Sequence, residues 1–257
     1  MKTMTIEEFK TEFKRRAAAG RKRYMADRGI LFSAAMVRAL LDGRKTQTRR
    51  LASFVKDQPD GFYHCRGNGG GMVGMDFVQV RELGVDYAPY APGDRLWVRE
   101  AWRTQKAVDE LKPSQMTGLG RVWYEADTRD NCDQHGRLRP GMFMPRWASR
   151  LWLTVTDVRI QRLQDISEAD AIAEGIVSRT VITGVNCNGR THSEETATLY
   201  FNGTEPDDFI GHEYASDAYA DLWDRLNMKA GTRWQDNPWV FTTTFTVHHG
   251  NLGRDRA

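Results

Sequence analysis

Apolar residues recur at every second position in several short, separated runs, and this alternation most narrows what the chain can fold into. Leu151, Leu153 and Val155 share one parity, and Val158 and Ile160 continue the run. Phe241, Phe245 and Val247 mark a closing run that starts at Trp239, and Arg95 to Arg99 follows the turn Ala91-Pro92-Gly93-Asp94. A period of two is the signature of a strand with one buried face. Shorter strands are expected at Ile30 to Phe32 and at Val122 to Ala126. Helical spacing is confined to a few stretches. Met36, Val37, Leu40 and Leu41 define a helix over Ala34–Leu41 that Gly43 stops. Ser167 is a good N-cap for a short helix, with Asp170 at the capping-box position, Glu174 in its final turn and Gly175 as its stop. Ser216 is expected to cap a further helix whose apolar face carries Tyr219, Leu222, Trp223 and Leu226. No βαβ unit repeats, so the pattern predicts a mixed α+β fold around a small barrel. Residues 57–76 are expected to form a loop or hairpin, and residues 104–121 and 178–212 read as irregular polar insertions.

Charge is distributed unevenly. Residues 1–28 hold nine cations and four carboxylates, a net +5 in a chain whose formal charge is +3, so the remainder is slightly acidic. Thr5 and Glu8 form a capping box there, followed by Ile6, Phe9 and Phe13 at helical spacing. A basic helical arm suits a polyanion; a solvated helix face has the same composition. Its narrow apolar stripe suits docking on the body or on a protein partner. No run of eighteen apolar residues predicts a membrane span, and the charged N-terminus does not read as a signal peptide. A cytoplasmic location is therefore expected. Cys65, Cys132 and Cys187 are odd in number and widely spaced, which argues against a disulfide framework. With no Cys-x-x-Cys pair, no metal site and no cofactor are predicted.

The segment over residues 43–50, Gly-Arg-Lys-Thr-Gln-Thr-Arg-Arg, concentrates the chemistry. Lys45, Thr46, Thr48, Arg49 and Arg50 can meet a phosphate, a carbonyl or a base edge, although a polar surface strand looks similar. This segment resembles the signature of the ASCH family, a Gly-x-Lys-Thr-type turn and strand that ends in Arg. Residues 30–42 look like the family's leading strand and helix. Pro92-Gly93-Asp94-Arg95-Leu96-Trp97-Val98 resembles its second hallmark, a Gly-Asp turn entering a barrel strand. Residues 165–175 are similar to its short helix, and Leu222-Trp223 with the strand at 239–247 completes the order. The likeness to phage- or prophage-type ASCH proteins spans residues 30–247.

That resemblance implies a PUA-like β-barrel over residues 29–250, with flanking helices and insertions near 55–88, 103–145 and 178–212. Residues 1–28 form the basic arm and 251–257 a tail. It implies a protein of a bacterial host cytoplasm directed at RNA, DNA or a modified nucleoside. One subgroup of the family removes the acetyl group from N(4)-acetylcytidine with a Lys, a Thr and a Glu, matched here by Lys45, Thr48 and Glu174; Arg50 matches the motif Arg. Amide hydrolysis needs a nucleophile, a base and a place for an oxyanion. Thr48 and Lys45 fit the first two roles if Lys45 loses its proton near neutrality rather than near about 10.4. Glu174 works against this if it pairs with Lys45, and a structural Lys45–Glu174 salt bridge is the competing reading. Thr46, Arg49 and Arg50 are candidate substrate-binding groups. Trp147, flanked by Arg146 and Arg150, is the candidate base-stacking ring, and Glu100 is a candidate cleft carboxylate; a core ring and an exposed strand-end acid are the alternatives. Three other functions stay open at this point: a non-catalytic reader of RNA or modified DNA, a ribonuclease, and a phage assembly or host-interaction protein.

Overall fold

The computed structural model describes residues 27–52, 55–57, 63–66, 72–75, 80, 88–117, 120–127, 134–187, 192–202 and 211–252. Of the expected basic arm over residues 1–28, residues 1–26 lie outside the described residues and Arg28 opens a strand instead; Cys132 and residues 253–257 of the expected tail also lie outside them. The fold is mixed α+β. Its centre is a five-stranded sheet in the order β1-β6-β9-β12-β2, formed by β1 (Arg28–Leu31), β2 (Gln47–Leu51), β6 (Arg95–Arg99), β9 (Leu151–Arg162) and β12 (Trp239–His249). β1 runs parallel to β6, and every other pairing in this sheet is antiparallel. Among the described residues the sheet does not close, with β1 and β2 as its edges.

The phase of β9 explains its packing. Leu151, Leu153 and Val155 are buried, then the buried parity switches to Val158 and Ile160. The switch coincides with a register shift opposite Thr244 and Phe245 of β12, where β9 carries one extra residue. A bulge of this kind lets one strand keep its apolar side on the core although the spacing changes from odd to even. The inner face of the sheet meets α1 (Ala34–Leu41), whose Val37 and Leu40 join Leu96, Val98, Leu153, Phe241 and Phe245 in the principal core. Ser33 caps α1 by accepting from the Met36 N–H, and Gly43, at φ 70°, supplies the left-handed residue after its end.

A second core lies on the far side of β2 and β12. There α2 (Glu168–Ala173) and α3 (Ala215–Leu226) bury Ala171, Tyr219 and Trp223 against Val240 and Leu51. A third cluster gathers Trp102, Met116, Met144 and Ala148 beside the short pair β7 (Trp102–Arg103) and β8 (Trp123–Tyr124). The strand expected over residues 122–126 is thus shorter than its apolar pattern. The loop or hairpin expected over residues 57–76 is an antiparallel meander of β3 (Val55–Asp57), β4 (Tyr63–Arg66) and β5 (Met72–Met75).

Three expectations are corrected. The described residues between 178 and 202 are not irregular: β10 (Val177–Cys187) and β11 (His192–Phe201) pair as a long antiparallel hairpin with a register shift near Ile182. Its Thr, Val and Ile content favours strands, while its polarity hid the alternation a half-buried strand displays. Ser216 does not cap α3. It lies inside the helix, and the Glu168 carboxylate accepts from the Ala215 and Ser216 N–H groups at 2.6 and 3.2 Å. Leu226, assigned to the apolar face, is 55 % exposed. No described helix is long and apolar enough to cross a membrane.

Glu168 satisfies two of the N–H groups that every helix leaves unpaired at its start and puts negative charge where the helix dipole favours it. Partial burial pushes its pKa up, but the Ser216 hydroxyl and the two N–H groups outweigh that and hold it below the usual carboxylate range. Its stabilisation is therefore complete above the unfolded value of about 4.3 and is lost as pH falls through the lower folded value. Glu168→Ala should cost about 1 kcal/mol at pH 7, and the gap from wild type in urea unfolding should shrink below about pH 4. A pH-independent gap would rule out the charged cap.

Candidate functional site

Residues 43–50 enter the sheet through a backbone clasp. The N–H groups of Arg44 and Lys45 both donate to the Ala39 carbonyl of α1. The Thr46 N–H donates to the Ala173 carbonyl at 2.9 Å, and the Thr46 carbonyl accepts from the Phe245 N–H. Gly175 ends α2 at φ 102°, where a Cβ would sit 3.2 Å from the Ala39 Cβ and 3.5 Å from the Lys45 Cβ. Glycine is required there both by the backbone angle and by the close approach of three segments.

This clasp places Lys45 and Glu174 face to face, both buried. Lys45 Nζ donates to Glu174 Oε2 at 2.7 Å and to the Glu174 carbonyl at 2.8 Å. The other carboxylate oxygen, Oε1, accepts from Arg49 Nη1 at 3.1 Å. Arg49 also donates to Gln47 Oε1 at 2.7 Å and, through Nη2, to Asp170 Oδ2 at 3.0 Å. Gln47 Nε2 donates to Asp170 Oδ1 and to Thr244 Oγ1, each at 3.2 Å. Two buried cations thus share one buried carboxylate, with a second carboxylate at the margin.

Burial pushes the Lys45 ammonium below its ordinary pKa; Glu174 opposes the shift, and Arg50 and Arg49 add to it. For Asp170, burial pushes upward, but Arg49 and Arg159 prevail and its carboxyl sits below the usual range. Tyr219, whose ring lies 5.8 Å from the Arg49 guanidinium carbon, is driven well up by burial and then by Glu174, so it stays a neutral phenol.

The other candidates fall in three places. Thr48 is buried and pairs with Thr243 of β12. It alternates with Gln47 and Arg49 and so belongs to the opposite face of β2. Its hydroxyl has no hydrogen-bond partner among the described residues. Arg50, exposed, lies over the Phe32 ring at 5.6 Å and donates to the Leu31 carbonyl, tying one sheet edge to the other. Thr46 contributes its backbone and is exposed. Glu100 and Trp147 belong to other clusters. Glu100 is buried and takes both arms of Arg150, Nε at 2.9 Å and Nη2 at 3.0 Å. The Arg150 guanidinium in turn covers the Tyr124 ring at 4.0 Å. Trp147 meets Trp102 edge-on at 5.9 Å, and its Nε1 donates to the Pro113 carbonyl.

Gln47 and Arg44 carried no role in the sequence, and Tyr219 read only as part of an apolar helix face. Asp170 was read as a cap, whereas its side chain is taken by Arg49, Gln47 and Arg159. The signal for Gln47 was its parity with Arg49. Beside the network opens a cleft of about 380 Å³ between the N-terminal end of α1 and the C-terminal end of α3. Ser33, Met36, Arg44, Glu174, Asn202 and Leu222 are among its walls.

The sharing of Glu174 sets an order of mutational cost. Removing one partner of a buried pair typically costs about 3–5 kcal/mol because the other charge is stranded. Lys45→Met leaves Glu174 paired with Arg49, whereas Glu174→Gln strands Lys45 and deprives Arg49 of one of its two acids. Denaturant unfolding should rank Glu174→Gln as the more destabilising, and the reverse ranking would refute the sharing.

No protein-family model, no curated protein and no solved structure matches this chain.

Proposed function

We propose that the chain is a nucleic-acid- or nucleobase-directed protein of the ASCH, PUA-like kind, and that it reads its ligand rather than hydrolyses it. The observation that carries this reading is the cleft beside residues 43–50. Its volume of about 380 Å³ falls in the range of small-molecule sites. Its walls join apolar surface, at Met36 and Leu222, to the polar groups of Ser33, Arg44 and Asn202. That mixture suits a nucleobase with its sugar, the flat ring on apolar surface and the polar edge on a few fixed donors and acceptors. The PUA-like barrel is the proposed form of the five-stranded sheet; the Arg50 bridge to the Leu31 carbonyl, from edge strand β2 to edge strand β1, supports that curl.

Reading is favoured over hydrolysis by where the protons are held. Both Glu174 oxygens are occupied by cations, which leaves neither to activate water. Lys45 spends its hydrogen bonds on Glu174 rather than on Thr48. Hydrolysis keeps two supports: burial lowers the Lys45 pKa, and the Thr48 hydroxyl is uncommitted.

The discriminating experiment incubates the protein with N(4)-acetylcytidine, following acetate release by NMR and binding by calorimetry. The expected result is binding without release, weakened about tenfold or more by Arg44→Glu, as for loss of one charge-assisted contact of about 1.5–3 kcal/mol. Acetate release that disappears in Thr48→Ala would overturn the reader and establish the hydrolase.

A further inference from the structure

The face of the central sheet turned away from the principal core is unusual for a solvent side. Over the rows where four strands pair, Ile30, Leu96, Val98, Leu151, Leu153 and Val247 point inward or pack on the core. The alternate positions point outward. Alternation normally makes such a face polar. Here the register aligns Gly29 of β1, Trp97 of β6, Trp152 of β9 and His248 of β12 in one row across the sheet. All four are partly exposed.

The row is ordered by its own contacts. Trp152 and His248 stack with ring centroids 3.9 Å apart and planes 13° from parallel. The imidazole is fixed by a 3.0 Å hydrogen bond between its Nε2 and Thr154 Oγ1. The Arg99 guanidinium carbon lies 5.3 Å from the centre of the Trp97 ring. A Cβ on Gly29 would fall 2.6 Å from Arg99 Cδ and 3.0 Å from Trp97 Cζ2, so the glycine lets the indole and the arginine stem lie down over β1. Two donors on this face are buried without an acceptor among the described residues, the Trp152 Nε1–H and the Arg99 Nε–H. Orphan donors of this kind are rare in native proteins and call for a partner. Arg99 has no carboxylate partner among the described residues either. No outward position in these rows, 29–31, 95–99, 152–154 and 246–248, is acidic.

From this juxtaposition we infer that the outer face of the sheet is a second contact surface, a platform on which single-stranded nucleic acid lies with its bases on the Trp97–Trp152–His248 row and its phosphates at Arg99. Flat rings at successive strands match the faces of successive bases, and stacking on aromatic side chains tolerates any base. The end of the Arg99 guanidinium, without a carboxylate partner among the described residues, matches a phosphate. A duplex offers no unstacked base to this row, and a basic segment of the chain itself meets like charge. The platform rests on the nucleic-acid reading of the protein for its class of polymer, but it is a site apart from the cleft at Arg44 and Glu174.

The test uses the full-length chain and fluorescein-labelled single-stranded oligonucleotides of roughly 12 nucleotides, as RNA and as DNA. Anisotropy should report salt-dependent binding accompanied by quenching of the intrinsic tryptophan emission. Arg99→Gln, which keeps most of the stem over Gly29, should weaken binding and lower the magnitude of the salt slope by about 0.7, the loss of one phosphate contact. Trp97→Ala should weaken binding about tenfold and Trp97→Phe much less, because a ring is kept; the Phe variant also guards against a fold defect in the Ala variant. If nucleoside binding fails while the platform variants still lose oligonucleotide affinity, the cleft reading falls and the platform stands. Absence of oligonucleotide binding by the wild type, or binding that neither Arg99→Gln nor Trp97→Ala alters, overturns the platform.

Discussion

The Glu174 carboxylate, held between Lys45 and Arg49, is the constraint on which the site depends. Each cation comes from the segment that begins β2, and the carboxylate comes from the end of α2. Burying three charges is expensive, and a pair that is merely buried need not add stability. What offsets the cost here is saturation: both Glu174 oxygens and its carbonyl accept, and Arg49 reaches a second acid in Asp170. The arrangement specifies how α2 docks on β2, because no slipped register would leave these charges paired. The Thr46–Ala173 backbone bond and the tight fit at Gly175 fall in the same place.

Much else follows from that docking. With α2 fixed, α3 is fixed through Glu168, and the two helices cover the side of β2 and β12 that carries Leu51 and Val240. The other side of β12 closes on α1 through Phe241 and Phe245. The cleft is the space left where the start of α1 meets the end of α3, with Glu174 in its wall. The sheet thus presents a core face and, beyond β6 and β9, an outer face lined with rings. The two proposed contact surfaces lie on different parts of one framework, which allows a polymer to be held on one while a base is examined in the other.

Local chemistry was legible in the sequence wherever partners are neighbours along the chain. Gly43, Ser167 and Gly175 bound their helices through contacts within a few residues, so helix α1 was read with its observed limits. The change of parity between Val155 and Val158 already encoded the bulge. Long-range partners were not legible. Glu168 caps a helix that starts 47 residues later, and nothing near Ser216 announces it. Asp170 sits where a cap acid belongs, yet a guanidinium 121 residues away takes it. The β10–β11 hairpin has a composition that reads equally as strand or loop. The Lys45–Glu174 contact was anticipated only through resemblance, and Trp147, whose flanking cations suggested an open ring, meets Trp102 edge-on. The Trp97–Trp152–His248 row needs strand register, which the sequence does not display.

The most direct measurement is amide hydrogen exchange in wild type and Glu174→Gln, comparing two residues at opposite ends of β2. Thr46 donates to Ala173 of α2, and Ala52 donates to Trp239 of the sheet. If the shared carboxylate docks α2 on β2, Glu174→Gln should strip protection from Thr46 while Ala52 keeps most of its own, since local openings need not involve the whole sheet. Equal loss at both amides, or unchanged protection at Thr46, would contradict the claim that Glu174 holds this junction together.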